Sequence, residues 1–128
     1  MRKICWWILA VCFLFVGTHS LTTAAGKDPE KVFMRAKLVH SQQILEDLAL
    51  EDFASMAKNA EQLRLLSLDA NWQVLQTEEY AMHSRDFRQA AAGLIAASEK
   101  KNLDGAVLAY FQMTQSCVNC HRHVRDQR

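Results

Sequence analysis

The sequence predicts an all-α protein, an antiparallel up-down-up-down bundle of four helices. The chain has one proline and four glycines among its 128 residues, so few positions interrupt a helix. No segment alternates apolar and polar residues in the way that marks a half-buried strand. The predicted connections are short, and short connections place consecutive helices side by side in opposite directions.

The first two helices follow from their start signals and apolar spacing. Asp28, Pro29 and Glu30 supply an N-cap, a first-turn proline and an acidic first turn. They predict a first helix over residues 29–49. A second helix is predicted over about 51–68, because the apolar spacing resumes there without a proline or glycine.

A polar connection over residues 69–76 separates the two halves of the predicted bundle. Thr77 follows it and is a good N-cap for a third helix that reaches about residue 101. The fourth helix is expected to begin at residue 102 or 103 and to reach about residue 126.

Each helix is expected to turn one apolar face toward the core, at roughly 100° per residue. The first helix offers Met34, Leu38, Ser41, Leu45 and Leu48. The third offers Tyr80, Phe87, Ala91 and Leu94. The fourth offers Ala106, Tyr110, Met113, Cys117, Cys120, His121 and Val124, while Gln115, Asn119, Arg122 and His123 are expected to point away.

The first 25 residues have the pattern of a secretory signal peptide, with a basic start, a short apolar run and small residues up to Ala25. The apolar run is short for a membrane span, which needs about 20 residues. We therefore expect cleavage after Ala25 and a periplasmic domain over residues 26–128 without a membrane anchor. An uncleaved N-terminal anchor is the alternative.

Removal of this segment changes the charge and the cysteine content. Loss of Arg2 and Lys3 lowers the formal net charge from +1 to −1, and a near-neutral chain argues against a nucleic-acid partner. Cys5 and Cys12 lie in the same segment, so the mature chain keeps only a pair of cysteines three residues apart. A disulfide across so small a loop adds little stability, so a disulfide scaffold is not expected.

The remaining cysteines belong to a CxxCH motif, Cys117-Val118-Asn119-Cys120-His121. This motif attaches c-type haem through two thioethers and supplies the proximal axial histidine. On a helix its three functional side chains project from one side, here the predicted apolar side. The alternatives are a zinc site and a redox-active thiol pair, but no second ligand pair and no βαβ context accompany the motif.

The predicted mature chain resembles the class II cytochromes c, which comprise cytochrome c prime and its low-spin, methionine-ligated relatives. The resemblance covers residues 26–128 and rests on an exported four-helix chain with CxxCH near its end. The basic residue four positions after the histidine is Arg125, whereas Val124 stands where the family has an aromatic residue. The resemblance implies haem attachment at Cys117 and Cys120, with Arg125 beside the haem.

The resemblance further implies that His121 is the proximal ligand and that a homodimer forms through helices one and two. A distal ligand must come from upstream or the site is open, because no methionine follows the motif. In an up-down bundle Met34 is level with the haem and core-facing, so we expect it to be the second iron ligand. The other candidates are His40, Met82 and His83.

Lys37 also faces inward and is expected to pair with a haem propionate. The sequence thus predicts a protein that carries one covalent haem c and passes single electrons to a redox partner protein. The alternative is a five-coordinate haem that binds a small gas such as nitric oxide. An enzyme is the least supported class, because no catalytic constellation is recognisable.

The end of the fourth helix is basic, with Arg122, Arg125 and Arg128 close together in the sequence. We interpret this cluster either as a solvated helix end or as a docking patch for an acidic partner.

Overall fold

The computed structural model describes residues 29–127, and within them the chain is helical with no strand. Four α-helices and one short 3₁₀ helix follow in order: α1 (Pro29–Ala49), α2 (Phe53–Leu66), the 3₁₀ helix (Ala70–Trp72), α3 (Glu78–Glu99) and α4 (Leu103–Asp126). The all-α prediction is confirmed for this part of the chain. The predicted signal peptide and the predicted cap at Asp28 lie outside the described residues.

Side-chain caps fix the starts of three helices. The carboxylate of Asp52 accepts a hydrogen bond from the Ser55 N–H at 3.0 Å, so α2 begins slightly later than its apolar pattern predicts. Thr77 caps α3 as expected, its hydroxyl accepting from the Tyr80 N–H at 3.1 Å. Asn102 caps α4 in the same way. Each cap pairs a backbone donor that the helix itself leaves unpaired.

The two tight connections between helices use residues in the left-handed region. Glu51 has a φ of 55° between α1 and α2, and Lys101 has a φ of 52° between α3 and α4. Such residues end a helix by letting the following N–H groups bond back to its last carbonyls. Here the Asp52 N–H reaches the Asp47 carbonyl at 2.9 Å and the Asn102 N–H reaches that of Ala97 at 3.0 Å.

The core lies where α3 packs against both α2 and α4, and α1 closes it mainly against α2. Its members are Ile44, Leu48, Met56, Ala60, Leu63, Trp72, Tyr80, Phe87, Ala90, Ala91, Leu94, Ala106, Ala109 and Met113. The predicted face of α3 is therefore confirmed. None of the helices in residues 29–127 is long and apolar enough to cross a membrane.

The predicted apolar face of α1 is confirmed at Leu48, which is buried, but is wrong at two other positions. Leu38 and Leu45 are 44% and 56% exposed, whereas Ile44 is fully buried. The inward positions of this helix include Phe33, Lys37, His40, Ile44 and Asp47. Three of those five are polar, so apolar spacing alone selected a neighbouring stripe.

A polar cluster between α1 and α2 explains why these inward positions tolerate polar residues. His40 Nδ1 lies 3.1 Å from Asn59 Oδ1, and the Asn59 amide donates to the buried Asp47 carboxylate at 2.9 Å. A buried polar group that keeps a hydrogen-bond partner avoids most of the desolvation penalty. His40 is therefore half-buried and paired across the interface between α1 and α2.

Candidate functional site

The CxxCH motif lies in the last turns of α4. Cys117 and Cys120 are half-buried and pack against the hydrophobic core, while the His121 side chain is exposed. Both cysteines are free thiols. The motif thus sits at the border between the core and an open face of the helix, with its thiols inward and its imidazole accessible.

The burial of the two histidines near this end of α4 is the reverse of the prediction. His123 is buried at 8% exposure, whereas His121 is exposed. Both lie roughly 80° from the buried Met113 around the helix, on opposite sides. The His123 side is covered by α3, and the His121 side faces the start of α1, so packing of neighbouring helices decides which one is buried.

An indole ring forms part of the site next to the motif. Trp72, at the end of the 3₁₀ helix, is buried, and its Nε1–H donates to Ser84 Oγ at 2.9 Å. Its ring lies 5.0 Å from that of Phe87, and its carbonyl accepts a hydrogen bond from the Tyr80 hydroxyl. These contacts to α3 hold the indole in one orientation, with a face available to α1.

Lys37 covers that face from α1. Its ammonium nitrogen lies 4.0 Å from the centroid of the Trp72 ring and 4.8 Å from that of Phe33, within the range of a cation–π contact. Burial lowers the pKa of Lys37 from 10.5 to about 8, and the nearby Cys120 and Cys117 partly oppose this change. The prediction that Lys37 faces inward is confirmed.

The two thiols of the motif are less acidic than ordinary cysteines. Burial raises the pKa of Cys117 and of Cys120, and the charge of Lys37 acts against burial in both cases. The reactive form of a thiol is the thiolate. Lys37 is therefore the residue that partly restores thiolate character at this site.

Tyr80 lies on the same side of the bundle as Cys120. Burial raises the pKa of Tyr80 to about 12, and a negative charge at Cys120 would raise it further. The phenol is therefore neutral near neutral pH, and its hydroxyl is already committed to the Trp72 carbonyl. Tyr80 therefore keeps its proton near neutral pH, and its hydroxyl helps to orient the indole.

His121 lies within the influence of two cations. Partial burial lowers its pKa, and the charges of Lys37 and Arg125 lower it further. A neutral imidazole is the form that binds a metal ion. Arg125 is therefore close enough to His121 for its charge to influence the imidazole.

The predicted distal candidates do not converge. Met34 is half-buried on α1, and Met82 is 42% exposed on α3. His40 is paired with Asn59. The His83 ring lies 5.5 Å from the His123 ring, on the α3 side of α4. Met34 and His40 lie on α1, the helix that also carries Lys37, whereas Met82 and His83 lie on α3.

Sequence reasoning missed the aromatic residues that line this site. Trp72 was assigned to a connection between helices, and Phe33 was not included in the predicted apolar face of α1. Both rings nevertheless contact Lys37. One signal was present: a large indole in a short polar connection seldom stays exposed. The contact itself could not be foreseen, because it joins residues far apart in the chain.

No protein-family model, no curated protein and no solved structure shows significant similarity to this chain.

The arrangement combines two partly buried thiols, an accessible imidazole on the same helix side, and a cation held on aromatic rings. Two thiols at i and i+3 can form bonds to one flat, apolar molecule that lies along α4. The imidazole at i+4 can then ligate a metal at the centre of that molecule. The rings of Phe33 and Trp72 offer further apolar surface beside it.

Proposed function

We propose that this chain is a periplasmic monohaem c-type cytochrome that carries single electrons. One observation carries the proposal: Cys117, Cys120 and His121 lie on the side of α4 that borders the core and faces the start of α1. A structural zinc site would instead need four converging ligands, and the motif brings three. A thioredoxin-like pair would sit at the start of a helix, and this one sits at the end.

The residues around the motif fit a haem group. The donor set is two thiols and one imidazole of lowered pKa, which matches covalent attachment and axial ligation. The neighbouring side chains of Phe33 and Trp72 are aromatic and partly or fully buried. Lys37 and Arg125 supply positive charge for acidic substituents at the edge of the group.

The helix contacts also support the predicted up-down order. Consecutive helices pack against each other, and α1 also contacts α4. Residues at the end of α4 lie beside residues at the start of α3, since His123 contacts Glu79. They also lie beside Lys37 in the first half of α1. This is the arrangement that an antiparallel ring of four helices requires.

In the proposed mechanism Cys117 and Cys120 would hold the haem covalently, and His121 and Met34 would ligate its iron. When bound, haem would supply a one-electron Fe(III)/Fe(II) couple whose potential rises with Met/His ligation. The rings of Phe33 and Trp72 would exclude water from one edge of the site. Because the residues that would hold the group lie on packed helices, they would move little on electron transfer, which favours a fast exchange with a redox partner protein.

One observation favours a second candidate function, in which a five-coordinate haem binds a small gas. Met34 is half-buried, and Phe33 is the residue in the first turns of α1 that packs against the core. An aromatic ring cannot ligate iron, so a distal side formed by Phe33 would be open.

Absorption spectra of the oxidised and reduced protein, with and without carbon monoxide, distinguish these two functions. Ligation by Met34 predicts a low-spin spectrum and slow or weak gas binding, because the gas must displace a ligand supplied by the fold. A high-spin spectrum with ready gas binding would favour the open site. A protein without any haem absorption, isolated from a host with haem-attachment machinery, would contradict both.

A further inference from the structure

Three potential metal ligands meet at the interface of α3 and α4, away from the CxxCH side of α4. His123 Nδ1 lies 3.3 Å from a carboxylate oxygen of Glu79, and His83 Nε2 lies 4.0 Å from the other oxygen. One ligand atom from each residue lies within 4.8 Å of the other two. Glu79 and His83 are four residues apart on α3, so they share a face one turn apart.

This cluster differs from an ordinary surface ion pair in its burial. The side chain of His123 is 6% exposed and that of His83 is 14% exposed, whereas Glu79 is 59% exposed. The cluster therefore combines two largely buried imidazoles with one carboxylate that is accessible to solvent. The centroids of the two rings lie 5.5 Å apart and the ring planes are tilted by 54°, so the imidazoles are in contact with each other beside the carboxylate.

The ligand set selects a class of metal ion. Two imidazoles and one carboxylate suit zinc and its transition-metal neighbours, while calcium and magnesium prefer oxygen ligands. Ligand atoms around tetrahedral zinc lie roughly 3.3 Å apart, as bond lengths of about 2.0–2.2 Å require. The ligand atoms lie within 4.8 Å of one another, so tetrahedral zinc needs a contraction of at most about 1.5 Å, which changes in the rotamers of Glu79 and His83 can supply.

We propose that Glu79, His83 and His123 form a binding site for one zinc-class divalent cation, which links the start of α3 to the end of α4. A water molecule on the exposed Glu79 side would fill the fourth coordination position of the metal. Thr77 supports the site from behind, because its hydroxyl lies 3.5 Å from His123 Nε2. A partner on that nitrogen leaves Nδ1 directed at the carboxylate and the metal, as in other histidine sites.

The site is independent of haem attachment. Lys37 approaches the cysteines from the α1 side of α4, whereas Glu79 approaches His123 from the α3 side. A cation here would stabilise the native state, since it binds a pair of helices that separate on unfolding. The alternative is a plain structural contact among the three residues, which has no affinity for metal.

The test is zinc titration by calorimetry of the purified full chain, after chelator treatment and alkylation of any free thiol. We expect one saturable site and a thermal midpoint that rises with zinc. Glu79→Gln and His83→Ala should each weaken zinc binding at least about tenfold. Glu78→Gln alters an exposed neighbour in the same turn, and His40→Ala removes a histidine elsewhere, so both controls should bind zinc like the unchanged protein.

Glu79→Gln keeps the test interpretable even if histidine variants fold poorly, because the side chain is exposed and the replacement has the same shape. Zinc X-ray absorption should show nitrogen and oxygen neighbours with imidazole scattering. Equal affinity of Glu79→Gln and Glu78→Gln, the absence of saturable binding, or a zinc–sulfur distance of about 2.3 Å would each overturn the proposal.

Discussion

The ammonium nitrogen of Lys37 lies 4.0 Å from the centroid of the Trp72 ring, beside the thiols of the CxxCH motif. The contact joins the first half of α1 to the connection before α3. It brings a positive charge close to Cys117 and Cys120, whose pKa values burial raises. Lys37 therefore lowers the pKa of both free thiols, and under the proposed function it would provide a cation at the edge of the haem.

The first prediction concerns thiol reactivity in protein made without haem-attachment machinery. Lys37→Met removes the charge that lowers the pKa of both cysteines, so alkylation by iodoacetamide should slow at pH 7–8. The pKa of Lys37 itself is lowered to about 8. The difference should accordingly be largest below pH 8 and shrink above it, as the lysine loses its proton.

Lys58→Met on an exposed position of α2 is the matched control and should leave the alkylation rate unchanged. Faster alkylation of Lys37→Met would mean that the lysine shields the thiols instead of activating them.

The second prediction concerns the distal side of the iron. Met34→Ala should produce a high-spin spectrum, lower the reduction potential and speed carbon monoxide binding, because it removes the proposed sixth ligand. The loss of a half-buried side chain should lower the free energy of unfolding by about 1–2 kcal/mol. Met82→Ala, at an exposed methionine on α3, should change none of these spectra. Identical gas-binding rates in Met34→Ala and the unchanged protein would identify Met34 as a packing residue.

The third prediction concerns the buried indole. Trp72→Phe removes the donor to Ser84 Oγ, leaving a buried hydroxyl without that partner. The free energy of unfolding should fall by about 1–3 kcal/mol, as measured by urea denaturation. Phe111→Leu, at a ring that is 72% exposed, should change it by less than about 0.5 kcal/mol. Equal effects of the two substitutions would show that the Trp72 contacts contribute little to stability.

The fourth prediction concerns the turn between α3 and α4. Lys101 has a φ of 52°, in the left-handed region that favours glycine. Lys101→Gly should raise the free energy of unfolding by about 0.5–1 kcal/mol, since relief of the strain exceeds the extra freedom of the unfolded chain. Lys100→Gly, at a helical φ of −84°, should lower it instead. A loss of stability in Lys101→Gly would contradict the turn geometry.

Most of the helical framework follows from local sequence signals. Thr77 and Asn102 mark helix starts through hydrogen bonds within their own turns, and such bonds do not depend on the rest of the fold. Pro29 marks the start of α1 because its fixed φ suits the first turn of a helix. The α3 face was equally predictable, because its inward positions are apolar.

The errors arose where the core contains polar residues or where distant segments meet. On α1 the inward positions of His40 and Asp47 were missed because both residues are polar, and each is stabilised there by Asn59 on α2. His123 was expected to point away from the core, because its contacts with Glu79 and His83 join residues that are far apart in the sequence. Only the packing of α3 against α4 reveals that cluster.

Under the proposed function the chain carries one covalent haem at Cys117 and Cys120. The intact mass of the product of the full-length gene, measured after acid denaturation, tests this in protein from a host with working haem-attachment machinery. We expect a mass that exceeds that of the processed polypeptide by one haem, and a Cys117→Ser, Cys120→Ser variant without this increment. An unchanged protein with the mass of the polypeptide alone would contradict it.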